Sequence, residues 1–117
     1  MHDWHRDGWQ MSDFYRLREL VVLVEEWARD RGIIEQSTPQ AQLLKTMSEL
    51  GELADATIKQ RPSDVIDGLG DVLVTLIIYA KMQKVTIHEC LSSAYDQIKD
   101  RRGRMVPGGA FVKEGDE

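Results

Sequence analysis

One stretch constrains the fold of this chain more than any other. Val65, Ile66, Leu69, Val72, Leu73, Leu76, Ile77 and Ala80 recur at helical spacing, yet together they cover most of a helix's circumference. A helix that apolar has to be surrounded by protein, so it is expected to be the central element. Its few polar positions fall on one stripe, Asp64, Asp67, Asp71 and Thr75. A carboxylate held among apolar side chains costs several kcal/mol unless it is protonated, ion-paired or bound to a metal. Asp71 is therefore the most informative residue, and its position leaves two readings open: a salt bridge to a neighbouring helix, or a metal.

Other helices are needed to cover this one, and the sequence marks them. Ser12 is placed to cap a first helix reaching about Arg31, with Leu17, Leu20, Val21, Val24 and Trp27 along one face and Gly32 ending it. After an irregular link over Ile33 to Ser37, Ser37 or Thr38 caps a second helix to about Lys59, with Pro39 in its first turn. Leu43, Met47, Leu50 and Ala54 form its apparent core stripe, leaving Glu49 and Glu52 on the opposite side with Lys45. Arg61-Pro62 breaks the chain, and Ser63 caps the third, central helix to about Gln83. Thr86-Ile87-His88-Glu89 is a capping box that opens a fourth helix, running to about Arg102 and stopped by Gly103. Its apolar positions, Ile87, Cys90, Leu91, Ala94 and Ile98, share a face. The expected architecture is all-α: a four-helix bundle over residues 11–104, preceded by an extension (1–10) without assigned role and followed by a Gly-rich C-terminal tail (105–117), extended or mobile.

Two short motifs carry the chemistry, Glu49-Leu50-Gly51-Glu52 and Asp67-Gly68-Leu69-Gly70-Asp71. Residues three or four apart share a helix face, so each motif offers a pair of carboxylates. If the pairs face each other, four carboxylates converge with no histidine or cysteine beside them. An all-oxygen site of that kind suits a hard cation, Mg²⁺ or Mn²⁺. The plain alternative is that Glu49 and Glu52 are simply solvated opposite a core stripe. Gly68 and Gly70 each cost roughly 1 kcal/mol in a helix relative to alanine, which suggests close approach of another helix or a ligand. Lys99, Arg101, Arg102 and Arg104 gather positive charge at the end of the fourth helix, where it either complements the helix dipole or binds phosphate.

Composition narrows the partners. Fifteen Lys and Arg against twenty Asp and Glu give a net charge of −5, no footprint for a nucleic-acid backbone. No apolar run approaches the roughly 20 residues that span a bilayer. Cys90 stands alone, so no internal disulfide forms, in keeping with a reducing, cytoplasmic setting. Neither a Gly-rich phosphate loop nor a Cys/His cluster with zinc spacing occurs.

Lys45-Thr46-Met47-Ser48-Glu49-Leu50-Gly51-Glu52-Leu53, followed by Asp67 and then Asp71-Val72-Leu73, resembles the MazG-like all-α nucleoside triphosphate pyrophosphohydrolases. Their usual pattern is Glu-Glu-x-x-Glu, a spacer, then Glu-x-x-Asp. The likeness runs from about Trp27 to Lys113, and the segment Ile98 to Val106 looks like the tail of short, often phage-encoded members. Two positions depart from the pattern. Ser48 takes the place of the first glutamate, and Gly68 that of the acid three residues before Asp71, with Asp67 one position earlier.

The resemblance implies hydrolysis of a (deoxy)nucleoside triphosphate to monophosphate and pyrophosphate. It implies Mg²⁺ (or Mn²⁺) held by Glu49, Glu52, Asp67 and Asp71, with Glu49 orienting the attacking water. Lys45, Lys99 and Arg102 are the implied phosphate contacts, and Gln36 and Thr75 lie near the nucleotide. Relatives assemble as helical dimers or tetramers, and a helix apolar nearly all round gives an independent reason to expect a homodimer or homotetramer here. Two alternatives are weighed against this. One is a non-catalytic dimerisation or regulatory module that lost activity through Ser48 and Gly68; the other is phosphoribosyl-ATP pyrophosphohydrolase, which shares the fold.

Overall fold

A computed structural model describes residues 10–116, so the extension expected over residues 1–10 lies, apart from Gln10, outside the described residues. Its elements are helices α1 (Met11–Asp30), α2 (Ile33–Gln36), α3 (Pro39–Ile58), α4 (Pro62–Met82) and α5 (Ile87–Ile98), then strands β1 (Gly103–Met105) and β2 (Phe111–Lys113). They form two compact units, Met1–Val85 and Thr86–Glu117.

In the first unit α4 is central, as its sequence requires: it packs most extensively on α3 and also meets α1 and α2. The core is small. It comprises Val21 and Ala28 from α1, Ala56 from α3, and Val72, Ile77, Ile78 and Ala80 from α4, with Ile78 only 2% exposed. The α3–α4 contact is tightest at Gly68, where a Cβ atom would lie 3.4 Å from the Leu53 backbone Cα and 3.3 Å from its Cδ1. Gly68 is thus a packing glycine. Gly70, by contrast, faces open space.

Local chemistry sets the ends of these helices. Thr38 caps α3 by accepting from the Ala41 N–H (3.1 Å), and Pro39 follows it. α1 begins two residues earlier than a Ser12 cap predicts, because Gln10 and Asp13 form a capping box in which the Gln10 N–H donates to Asp13 Oδ2 at 3.1 Å. Gly32, with φ +75°, ends α1. The link that follows is not irregular: Gln36 N–H donates to the Gly32 carbonyl (2.9 Å) and Ser37 N–H to that of Ile33 (3.0 Å), closing the short helix α2.

Helix α3 ends in a Schellman motif, with Gln60 N–H on the Thr57 carbonyl and Arg61 N–H on the Ala56 carbonyl. α4 ends the same way, through Lys84 and Val85. Both motifs place a non-glycine residue in the left-handed region, Gln60 at φ 54° and Lys84 at φ 61°. An L-residue there costs on the order of 1 kcal/mol. Gln60→Gly is therefore expected to stabilise the protein by roughly 0.5–1 kcal/mol, read as a rise of a few degrees in thermal midpoint.

Two expectations about faces are corrected. On α3 the stripe Leu43, Met47, Leu50 and Ala54 is not the core face: all four are exposed, Met47 at 67%. The buried face instead carries Gln42, Thr46, Glu49 and Ala56. Thr46 Oγ1 lies 2.9 Å from Thr75 Oγ1 on α4, and Thr75 in turn donates to the Val72 carbonyl at 2.7 Å. A short hydroxyl seam lets the two helices approach closely, and the larger apolar side chains turn outward. Within a single chain, α4 is also not covered all round, since Ile66 (72%), Leu69 and Leu73 are exposed.

The second unit opens with the predicted capping box, Glu89 N–H on Thr86 Oγ1 (3.1 Å) and Thr86 N–H on Glu89 Oε1 (2.7 Å). Its helix stops at Ile98 rather than Arg102, because the basic run continues into a two-stranded antiparallel sheet. Gly103 pairs with Lys113, Arg104 with Val112 and Met105 with Phe111, across a turn holding Gly108 and Gly109 at positive φ. A Cβ at Gly103 would meet Phe111 Cζ at 2.6 Å, so this glycine is fixed by the close pairing. The Gly-rich tail is extended, as half of a hairpin whose other half begins inside the basic run. The fold is therefore helical with one small sheet, and its helices number five, not four, among the described residues.

Candidate functional site

The turn from α3 to α4 brings their acidic residues to a common cleft of about 220 Å³, lined by Glu52, Asp55, Ala56, Arg61, Asp64, Asp67, Gly68 and Asp71. Helical spacing explains the set. Glu52 and Asp55 lie one turn apart on α3; Asp64, Asp67 and Asp71 follow one another up one face of α4. Of the predicted metal-site residues, Glu52, Asp67 and Asp71 line this cleft and Glu49 does not. Asp55, Asp64 and Arg61 line the same cleft and were not singled out from sequence. Asp55 continues the three-residue spacing of Glu49 and Glu52, and that spacing was the available signal.

The desolvated acid is not the one expected. Asp71 is exposed in the single chain, so the argument from an apolar neighbourhood does not apply to it there. It applies to Glu49, which is 8% exposed on the seam facing α4. Glu49 Oε1 lies 3.2 Å from Lys45 Nζ, one turn away, while Oε2 is buried without any hydrogen-bond partner. An unsatisfied buried acceptor costs about 1–3 kcal/mol. That unmet group is the most direct sign in the first unit of a residue kept for something other than folding.

The remaining predicted contacts divide between the units. Lys45 is exposed at 61% of its side chain and, among the described residues, pairs with Glu49. Gln36 is exposed on α2 and would touch a Cβ at Gly32. Thr75 is buried in the seam, its hydroxyl engaged by Thr46 and the Val72 carbonyl. Lys99 and Arg102 belong to the second unit. There Lys99 reaches Asp96 at 3.5 Å, and Arg102 lines a shallow depression with Arg101 and Lys113.

The cleft's donors are all carboxylate oxygens, which fits a hard divalent cation rather than zinc or copper. Among the described residues no three acids, histidines or cysteines already stand in a metal-ligating group.

The comparison with protein families is specific: residues 37–106 match the MazG nucleotide pyrophosphohydrolase domain, and the chain belongs to that family. It is also 41% identical, over 69 residues, to an uncharacterized 18.2 kDa protein encoded in the rep-hol intergenic region of Haemophilus phage HP1. That match covers 59% of this chain and 42% of the phage protein, so the chain spans less than half of that relative's length. No solved structure matches. Among the described residues no helix is long and apolar enough to cross a membrane.

Proposed function

We propose that this protein is a Mg²⁺-dependent nucleoside triphosphate pyrophosphohydrolase that converts a (deoxy)nucleoside triphosphate and water into the monophosphate and pyrophosphate. The observation that carries it is the cleft between α3 and α4, lined by Glu52, Asp67 and Asp71 within the segment matching the MazG domain. Glu52, Asp67 and Asp71 would hold the divalent ion; Glu49 is not among the cleft's lining residues and would reach the site only from the buried face of α3. The ion supplies charge neutralisation of the phosphates and activation of water.

The protein's own groups do the rest. Glu49, shielded from solvent, orients the attacking water and accepts its proton through the unpartnered Oε2. Water adds across the bridge between the α and β phosphates; one P–O bond forms and one breaks. Lys45 contributes positive charge to the phosphates, and Gln36 lies near the nucleotide. Thr75 acts indirectly, holding Thr46 and so the face of α3 that carries Glu49. Its setting is the cytoplasm, where triphosphates are available and Cys90 stays reduced.

One feature favours the non-catalytic reading: Gly68 stands where the usual pattern of the family has an acid. The test is pyrophosphate release from a panel of ribo- and deoxynucleoside triphosphates, modified bases included, with Mg²⁺. Release from at least one is expected; none from any favours a helical module without turnover.

Assembly as a homodimer or homotetramer belongs to the same proposal. Leu44, Met47 and Leu50 of α3 and Ile66, Leu69 and Leu73 of α4 are all exposed, an apolar set of the kind that marks an interaction surface. A second copy covering it would also surround α4. Light scattering at micromolar concentration is expected to give a dimer or larger species, and a monomer would overturn this.

A further inference from the structure

Five carboxylates line the cleft, with one cation among them, Arg61. Its backbone is pinned on both sides: its N–H donates to the Ala56 carbonyl (3.0 Å) to close α3, and its carbonyl accepts from Val65 N–H (3.0 Å) to open α4. Pro62 fixes the next backbone angle. The side chain therefore starts from a rigid corner. Its guanidinium nevertheless makes no ion pair within 4 Å among the described residues, whereas Asp55, lining the same cleft, pairs with Lys59 at 2.9 Å.

Along α4 the lining runs from Arg61 through Asp64 and Asp67 to Asp71, about 15 Å at 1.5 Å per residue. The cleft thus has two unlike ends, one of carboxylates alone and one with a guanidinium. A polyphosphate with metal ions is complementary to that order. Its reacting bridge belongs among Glu52, Asp67 and Asp71, and its distal phosphates belong at Arg61, whose planar set of donors matches phosphate oxygens. We infer that Arg61 grips the distal phosphates, the part that leaves as pyrophosphate, and so selects triphosphates over diphosphates. This rests on the pyrophosphohydrolase activity proposed above.

The experiment uses the full chain as wild type, Arg61→Ala and Arg61→Lys, with circular dichroism to confirm unchanged helix content. Turnover is measured on a triphosphate and on the diphosphate of the same nucleoside, and binding of inorganic pyrophosphate with Mg²⁺ is measured by calorimetry. Arg61→Ala is expected to lower kcat/KM for the triphosphate by roughly tenfold to a hundredfold, mainly through KM, and to weaken pyrophosphate binding by a similar factor. The diphosphate should change by less than about threefold, Arg61→Lys should fall between, and Mg²⁺ alone should bind no more weakly. If Arg61 only offsets the charge of its neighbours, Arg61→Ala keeps wild-type pyrophosphate affinity and substrate preference, and the inference is overturned. A wild type that hydrolyses nothing sinks the activity instead. The binding measurement still decides Arg61, because failure of the wild type to bind Mg²⁺-pyrophosphate, or equal binding by Arg61→Ala, rejects its role.

Discussion

Asp71→Ala is expected to lower pyrophosphate release by at least about a hundredfold while leaving the helical fold intact. Loss of a residue merely supporting a metal ligand commonly costs 10- to 100-fold, and a direct ligand should cost no less. Asp71 is exposed in the single chain, so its removal opens no cavity and the loss can be assigned to the site. Asp67→Ala should lose a comparable factor, because Asp67 lies one turn from Asp71 on the same face of α4 and has to supply the acid that Gly68 lacks. Asp64→Ala should lose far less. Asp64 lies two turns from Asp71, roughly 10 Å along the axis, too far for both to hold one ion. Steady-state pyrophosphate release across Mg²⁺ concentrations checks all three. Activity within a fewfold of wild type in Asp71→Ala would remove the carboxylates of α4 from the reaction.

Gly68 shows where sequence and structure part. From the family pattern it reads as a lost acid; in the fold it is where α4 meets Leu53 of α3, and a Cβ there would press on the Leu53 side chain at 3.3 Å. Its poor helix propensity already pointed to close approach of a helix or ligand; only the fold shows that the neighbour is Leu53 and that Gly70, read the same way, faces open space. The capping signals at Thr38 and Thr86 were legible because a cap is a contact between residues three apart. The ends at Gln60 and Lys84 carried no glycine, so the Schellman motifs left no mark in composition.

The faces of α3 were misjudged for a related reason. Periodicity identifies an apolar stripe but does not say whether the chain's own core or another surface covers it. Leu43, Met47 and Leu50 look like core and lie outside, while Thr46 and Glu49 look like surface and lie inside. Pairing of acids within each helix was legible, since it needs only helical spacing. Their meeting across the α3–α4 turn, with Asp55, Asp64 and Arg61, needed the fold.

Glu49 brings stability and function into direct opposition. Glu49→Met keeps nearly the same volume and removes a buried acceptor that nothing satisfies, a relief of about 1–3 kcal/mol. Breaking a buried ion pair usually costs more than it relieves, because a charge is stranded. Here the partner, Lys45, is mostly solvated and stays so, and the pair lost is a single i,i+4 contact of about 0.3–0.5 kcal/mol. The balance predicts a metal-free protein more stable by about 1–2 kcal/mol, a rise of several degrees in thermal midpoint for a unit of this size. Pyrophosphate release should fall by at least about a hundredfold in the same variant, as for removal of a group that moves the proton. A residue kept for packing would lose stability on replacement, and an idle solvated acid would change neither quantity. Only a carboxylate retained against the folding energy for its chemistry gains stability as it loses turnover. Thermal denaturation in chelator beside kinetics in Mg²⁺ measures the two signs together, and a destabilised yet active Glu49→Met would remove Glu49 from the mechanism.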